Sequence, residues 1–315
     1  MWARRSRFAG RGVIRVAYFG LPLAALLLSS DGFEPVLAVL SPVDAPGVRR
    51  LRRRLGDRVV DARRPGPGDL ERTVASRLEA CDVDLIVSWY WTRRMPAHWL
   101  SVPRLGAIGA HPSILPRHRG PDPFFWAIDS GDDVAGVSIH HLTERYDEGA
   151  VLYSETLAIG ARDAWQLARA LDRPSLRLLR RAVGDIARGK APVPAPQDES
   201  RATWAPVPDG DLLRADFRQS TERVLRRVRA LAPDPGLALE VRGVRFTVTR
   251  AERALSFPMA LEPGEAATTE HGVVVRTADG AMLVTRATID IDGATESETV
   301  DALGLGETVQ NATGE

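Results

Sequence analysis

At 315 residues the chain is long enough for two domains, each with its own core. With 44% hydrophobic and 26% charged residues it has a soluble globular composition, and a formal net charge of +1 advertises no polyanionic partner. Its single cysteine, Cys81, excludes an internal disulfide, no Cys/His cluster has zinc-ligand spacing, and no apolar stretch of about 20 residues is present to span a bilayer.

The start, Met1-Trp-Ala-Arg-Arg-Ser-Arg7, followed by the apolar run Val16 to Leu28, imitates a secretory signal, yet no small-x-small cleavage site follows Leu28-Ser-Ser-Asp-Gly32. A reducing, cytoplasmic setting is expected. From Val13 to residue 130, strand-like and helix-like segments alternate, which is the pattern of a parallel sheet covered by helices. Strands are predicted at Val13 to Phe19, Pro35 to Leu40, Asp57 to Val60, Asp84 to Tyr90 and Gly106 to Ala110. Two further extended segments, Gly136 to Leu142 and Gly149 to Leu157, bracket Asp147. A helix from Ala164 to Ala187 follows, expected to break or kink near Pro174. The Pro-rich stretch Lys190 to Pro196 reads as a stiff linker and domain boundary. Beyond it, Ser220 to Leu231 is an amphipathic helix with Val224, Leu225, Val228 and Leu231 on one face. Short strands are predicted at Leu237 to Val241, Val244 to Thr249, Gly272 to Arg276 and Met282 to Ala287, with a hairpin turn at Asp279-Gly280. From about residue 296 the chain has little to bury and is expected to fray.

The chemistry is concentrated between residues 109 and 149. The run Leu105-Gly-Ala-Ile-Gly-Ala110 predicts a short buried strand, so His111 falls at its end, where a loop stiffened by Pro112 and Pro116 begins. Strand ends of this kind carry the chemistry in open α/β sheets. An Asp-Glu-Gly turn places Asp147 at a loop tip. Position alone leaves open whether His111 is catalytic or a hydrogen-bonded strand-end histidine.

His111, Ser113, Leu115, Pro116, Arg119 and Gly120, followed by Asp147 and Gly149, resemble the signature N-x-H-x-S-x-L-P-x-x-R-G and D-x-G of the formyltransferases that use 10-formyltetrahydrofolate. Ile14 to Pro22 resembles the opening strand and turn of that family, and Asp84 to Ser88 the strand before its catalytic loop. Ala202 to Pro206 and Arg229 to Pro235 resemble stations of the carboxy-terminal domain of the methionyl-tRNA formyltransferase family. The resemblance covers nearly the whole chain. It implies an α/β fold, a Rossmann-like parallel-sheet domain over 1–192, a linker over 193–209, a small OB-like β-barrel domain over 210–300 and a flexible tail over 301–315.

The same resemblance implies transfer of a formyl group from 10-formyltetrahydrofolate, the donor substrate, to a primary amine, with no metal. The acceptor it favours is methionyl-initiator tRNA, and a monomer is favoured. His111 would take the amine proton, Asp147 would orient and stabilise its imidazole, and Ser113, Ile114, Leu115 and Pro116 would line the folate pocket. Arg119 reads equally as a structural ion pair or a ligand contact, and Trp89-Tyr-Trp91 equally as a stacking platform or as core. His118, His140 and His141 read as surface or sheet histidines. Arg49-Arg-Leu-Arg-Arg-Arg54 stands where the family carries a basic loop, and a solvated helix face explains it as well as tRNA does. Lys190 is the only lysine, so arginine clusters are a weak sign of nucleic acid.

One departure stands out. Where the family carries asparagine two residues before the histidine, this chain has Gly109, and loss of one oxyanion donor costs on the order of 100 to 1000-fold in rate. Two alternatives therefore stay open: a formyltransferase for an amino sugar nucleotide or other small amine, and a catalytically impaired folate- or RNA-binding paralogue.

Overall fold

The computed structural model describes residues 14–63, 66–290 and 297–312. The leading segment Met1 to Arg7 and the last three residues of the expected tail lie outside the described residues. The described chain runs β1 (Val16–Gly20), α1 (Pro22–Ser30), β2 (Leu37–Leu40), α2 (Val48–Leu55), β3 (Val59–Asp61), α3 (Pro67–Ala80), β4 (Leu85–Trp89), α4 (Ala97–Ser101) and β5 (Ala107–His111). Then follow α5 (Pro123–Asp129), β6 (Val134–His141), β7 (Val151–Ala158), α6 (Ala164–Ala187) and α7 (Thr221–Leu231). The last elements are β8 (Leu237–Val241), β9 (Val244–Arg253), β10 (Ala266–Thr269), β11 (Gly272–Thr277), β12 (Gly280–Asp290), β13 (Ser297–Asp301) and α8 (Ala302–Asn311).

Two compact units result. The first holds the chain up to Arg119, Gly136–Glu155 and Asp172–Thr203; the second holds Gly120–Ala135, Thr156–Leu171 and everything from Trp204 on. The larger sheet has the order β3-β2-β1-β4-β5-β6-β7. Its first five strands are parallel, and β6 runs antiparallel to β5. Parallel strands are covered on both faces and so read as continuous apolar runs; every residue of β1, β2 and β4 is buried. The order reverses between β1 and β4, and crevices at such switch points bind ligands at the carboxyl ends of the strands. Gly20 ends β1 there with φ of +133°, and a Cβ on it would lie 1.8 Å from the carbonyl oxygen of Trp89, so only glycine fits. Trp89 sits in the core and donates to Ser175 Oγ at 2.8 Å, while Trp91 packs edge-on against Phe19. Trp89 is therefore core, while Tyr90 and Trp91 pack against the core and stay partly exposed.

The second sheet is antiparallel, ordered β10-β11-β12-β9-β8 with β13 added on β12. Register shifts between Val284 and Ala287 coil it. Helix α7 supplies Val224, Val228 and Leu231 to a core shared with Leu237, Phe246, Val248, Val275, Met282 and Leu305. The expected architecture, a Rossmann-like domain and a smaller OB-like one, is therefore observed.

Several local expectations are corrected. Of the break or kink expected near Pro174, the break does not occur, since α6 is one continuous helix there: burial of Leu178, Leu179, Ala182 and Val183 on the following turns outweighs one lost backbone bond. The β11–β12 turn is centred on Ala278-Asp279 rather than Asp279-Gly280, because Thr277 pairs with Gly280. Asp279 is then free to accept from the backbone N–H of Thr221 at 2.7 Å, at the start of α7. The fraying expected from 296, and the flexible tail from 301, give way over 297–311 to β13 and α8, whose Leu305 and Val309 are fully buried and whose first turn is capped by Asp301 accepting from Gly304 N–H at 3.0 Å. Leu305→Ala should destabilise the second unit by about 2–5 kcal/mol, measured by denaturant unfolding; a loss under about 0.5 kcal/mol, typical of surface sites, would show α8 to be loosely held.

Candidate active site

Strand β5 delivers His111 to the carboxyl end of the parallel sheet, and the loop after β6 brings Asp147 to the same place. His111 Nδ1 lies 3.5 Å from Asp147 Oδ2, so the two residues paired on sequence grounds come together in space. The other ring nitrogen, Nε2, sits 2.8 Å from the backbone carbonyl of His118. A carbonyl can only accept, so Nε2 carries the hydrogen, and in the neutral ring Nδ1 is the lone pair that can take a proton. Asp147 stands beside that nitrogen.

His140, set aside in the sequence reading, is the third member of the cluster. Its Nε2 lies 3.5 Å from Asp147 Oδ1, and its Nδ1 faces the carbonyl of His141 at 2.9 Å. It is fully buried, and burial pushes its pKa down to about 4 against the opposing pull of Asp147, so it is neutral near pH 7. Ser138 is a second residue missed. Its hydroxyl donates to Ser113 O at 2.8 Å and accepts from Leu115 N–H at 3.1 Å, latching the proline loop onto β6. A signal for both existed: Ser138 and His140 are polar at alternate positions of an apolar strand, and in the β5–β6 register they stand opposite His111 and Gly109.

The four residues expected to line the folate pocket divide. Ser113 is buried and its hydroxyl donates to Arg117 O at 2.7 Å, within the loop itself; Leu115 is also buried. Ile114 and Pro116 remain partly exposed. Arg119 is a structural ion pair rather than an open ligand-binding cation: its Nη1 and Nη2 donate to Glu199 at 2.9 and 2.7 Å. The glycine of the Asp-x-Gly turn has a steric cause, since a Cβ on Gly149 would stand 1.8 Å from His141 O. In the arginine cluster, Arg52 pairs with Asp61 and Arg54 with Glu34, while Arg49, Arg50 and Arg53 are exposed on α2. Among the described residues no group of three or more His, Cys, Asp or Glu is placed to hold a metal.

Gly109 has ordinary backbone geometry, so nothing in φ forbids a side chain there. A Cβ at 109 would lie 2.7 Å from Leu142 Cδ2, the far end of a flexible, partly exposed side chain, which has to shift to admit it.

A family model described as "Formyl transferase" matches residues 30–182, and one described as "Formyl transferase, C-terminal domain" matches residues 212–295. The methionyl-tRNA formyltransferase of Synechococcus sp. (strain JA-3-3Ab) is 30% identical over 313 residues, 93% of this chain and 96% of that protein. Among solved structures, HypX from Aquifex aeolicus in complex with tetrahydrofolic acid is similar with a TM-score of 0.64 and 21% identity, over 93% of this chain and 47% of that chain. The chain thus spans about half the length of HypX. The N-formyltransferase from Helicobacter canadensis, in complex with folinic acid and dTDP-3-aminofucose, has a TM-score of 0.64 and 14% identity over 86% of this chain and 98% of its own.

Two outcomes follow from this geometry. Gly109→Asn should turn the Leu142 side chain aside at a cost below about 1 kcal/mol, read as a small change in melting temperature; a loss above about 3 kcal/mol would show that the leucine cannot move. For His140, the folded pKa near 4 lies below the unfolded value of about 6.5, so the folded state binds fewer protons. The stability this contributes is complete above about pH 6.5 and is lost as pH falls through 4. His140→Gln should flatten the pH dependence of the unfolding free energy in that window, and an unchanged slope would place the titration elsewhere.

Proposed function

The chain belongs to the methionyl-tRNA formyltransferase family and is a formyl-transferring enzyme, and we propose that it moves the formyl group of 10-formyltetrahydrofolate onto the amino group of methionyl-initiator tRNA. The observation that supports this most is the pairing of His111 with Asp147 at the carboxyl end of β5. In this reading the amine nitrogen attacks the formyl carbon and forms the new C–N bond. The proton released by the amine passes to His111 Nδ1, beside Asp147, and then to the folate nitrogen as its bond to the formyl carbon breaks. Ser113, Ile114, Leu115 and Pro116 form the loop against which the folate lies, with Ile114 and Pro116 as its accessible members. Residues 1–192 carry the chemistry, 193–209 connect, and 210–300 form the OB-like domain. Exposed Arg49, Arg50 and Arg53 meet the acceptor stem, and the enzyme acts as a monomer in the cytoplasm. No helix among the described residues is long and apolar enough to cross a membrane.

A second reading, an amino sugar nucleotide as acceptor, is favoured by the likeness to the Helicobacter canadensis structure and by the engagement of Arg52 and Arg54 in ion pairs within the protein. Formyl transfer followed by mass spectrometry, with charged initiator tRNA and with an amino sugar nucleotide offered separately, decides between them. A tRNA acceptor should also show a steep fall of affinity with salt, because only a polyanion contact releases many counterions. His111→Ala should lower turnover by about 100 to 10,000-fold with the fold intact, and Asp147→Asn should lower it as well. Wild-type turnover in His111→Ala would remove the base from the mechanism.

A further inference from the structure

The segment after α6 does more than connect. Thr203 Oγ1 accepts from His118 N–H at 2.8 Å, Thr203 O accepts from Arg119 N–H at 2.9 Å, and Thr203 N–H donates to Pro116 O at 3.3 Å. Six residues earlier in the chain, Gln197 Nε2 donates to the backbone carbonyls of Asp147 at 2.6 Å and Gly149 at 2.7 Å. Its Oε1 accepts from Arg119 Nε at 3.0 Å and Nη2 at 2.8 Å. Every hydrogen-bonding capacity of the amide is therefore used. Its orientation is also fixed by chemistry: guanidinium only donates and carbonyls only accept, so the oxygen must face Arg119 and the NH2 must face the loop. Arg119 is itself held by the two oxygens of Glu199, and that hydrogen bonding raises its pKa further.

What this clamp holds is an unusual backbone. Asp147 has φ of +57°, a left-handed conformation that is uncommon outside glycine and that aspartate adopts more readily than most side chains. That conformation aims the carboxylate between His111 and His140. We propose that Gln197, braced by Arg119 and Glu199, is a positioning residue for formyl transfer: it ties the loop carrying Asp147 to the loop that follows His111 and fixes the distance between carboxylate and imidazole. The inference rests on the reading of Asp147 as the partner of His111. A misplacement of about 1 Å at such a site costs about 100-fold in rate.

The test uses the full chain with 10-formyltetrahydrofolate and charged initiator tRNA. Gln197→Ala and the nearly isosteric Gln197→Glu, which would turn a carboxylate oxygen toward two carbonyls, should each lower kcat by about 10 to 100-fold while KM for the folate changes less than about threefold. A packing role alone would spare the glutamate variant. In an Asp147→Asn background, Gln197→Glu should add less than about threefold, because both changes act on one carboxylate. Independently of any acceptor, the ring nitrogen chemical shifts of His111 should move in Gln197→Glu in the same direction as in Asp147→Asn. Unchanged shifts and kcat in Gln197→Glu, or a full loss repeated in the Asp147→Asn background, would overturn the clamp while leaving the His111–Asp147 reading in place. Wild-type kcat and unchanged shifts in Asp147→Asn itself would overturn that reading and the clamp with it.

Discussion

Two backbone carbonyls set the chemistry of the site. His118 O takes one nitrogen of His111, and His141 O takes one nitrogen of His140. Each ring must keep its hydrogen on the side of the carbonyl, so both lone pairs turn toward Asp147. Three acceptors then converge on one small volume that is mostly shielded from water. A proton on either facing ring nitrogen would stand 3.5 Å from a carboxylate oxygen of Asp147, which favours the charged form of the ring that carries it.

The scaffold serves that geometry at close range. Strand β5 presents His111 where the parallel sheet ends, β6 crosses beside it with Ser138 and His140 on the same face, and Gly149 passes within contact of His141 O because it has no side chain. Arginine, abundant in the chain, is used repeatedly to tie segments together within each unit. Arg119 binds Glu199 and Gln197 in the first unit; Arg223 and Arg227 both grip Asp129, which is buried at the end of α5, in the second. Burial alone would push the Asp129 carboxyl up; the hydrogen bonds from the two arginines outweigh it and hold the pKa below the usual carboxylate range. Much of the arginine is thus structural, and its abundance says little about nucleic acid.

The parallel strands and helix α6 were legible because continuous apolar runs and a long 3.6-residue period are local properties. His111 and Asp147 were legible because a specific motif carries them. Ser138, His140 and Gln197 were not, since their roles depend on a strand register and on contacts between distant segments that no local pattern encodes. Helix α8 was missed for another reason: Gly304 and Gly306 lower its helix propensity, and the burial of Leu305 and Val309 that overrides them is a tertiary effect. Arg119 illustrates a third case, in which the sequence left two roles open and only the position of Glu199 chose between them.

Gly109 and Leu142 stand side by side at the edge of the site. The three atoms nearest to an added Cβ at 109 all belong to the Leu142 side chain, which is partly exposed. A larger residue at 109 is therefore met by the end of a flexible side chain, and a turn of that leucine makes the room. The width of the space beside His111 is then set by a rotamer, not by the strands that frame it.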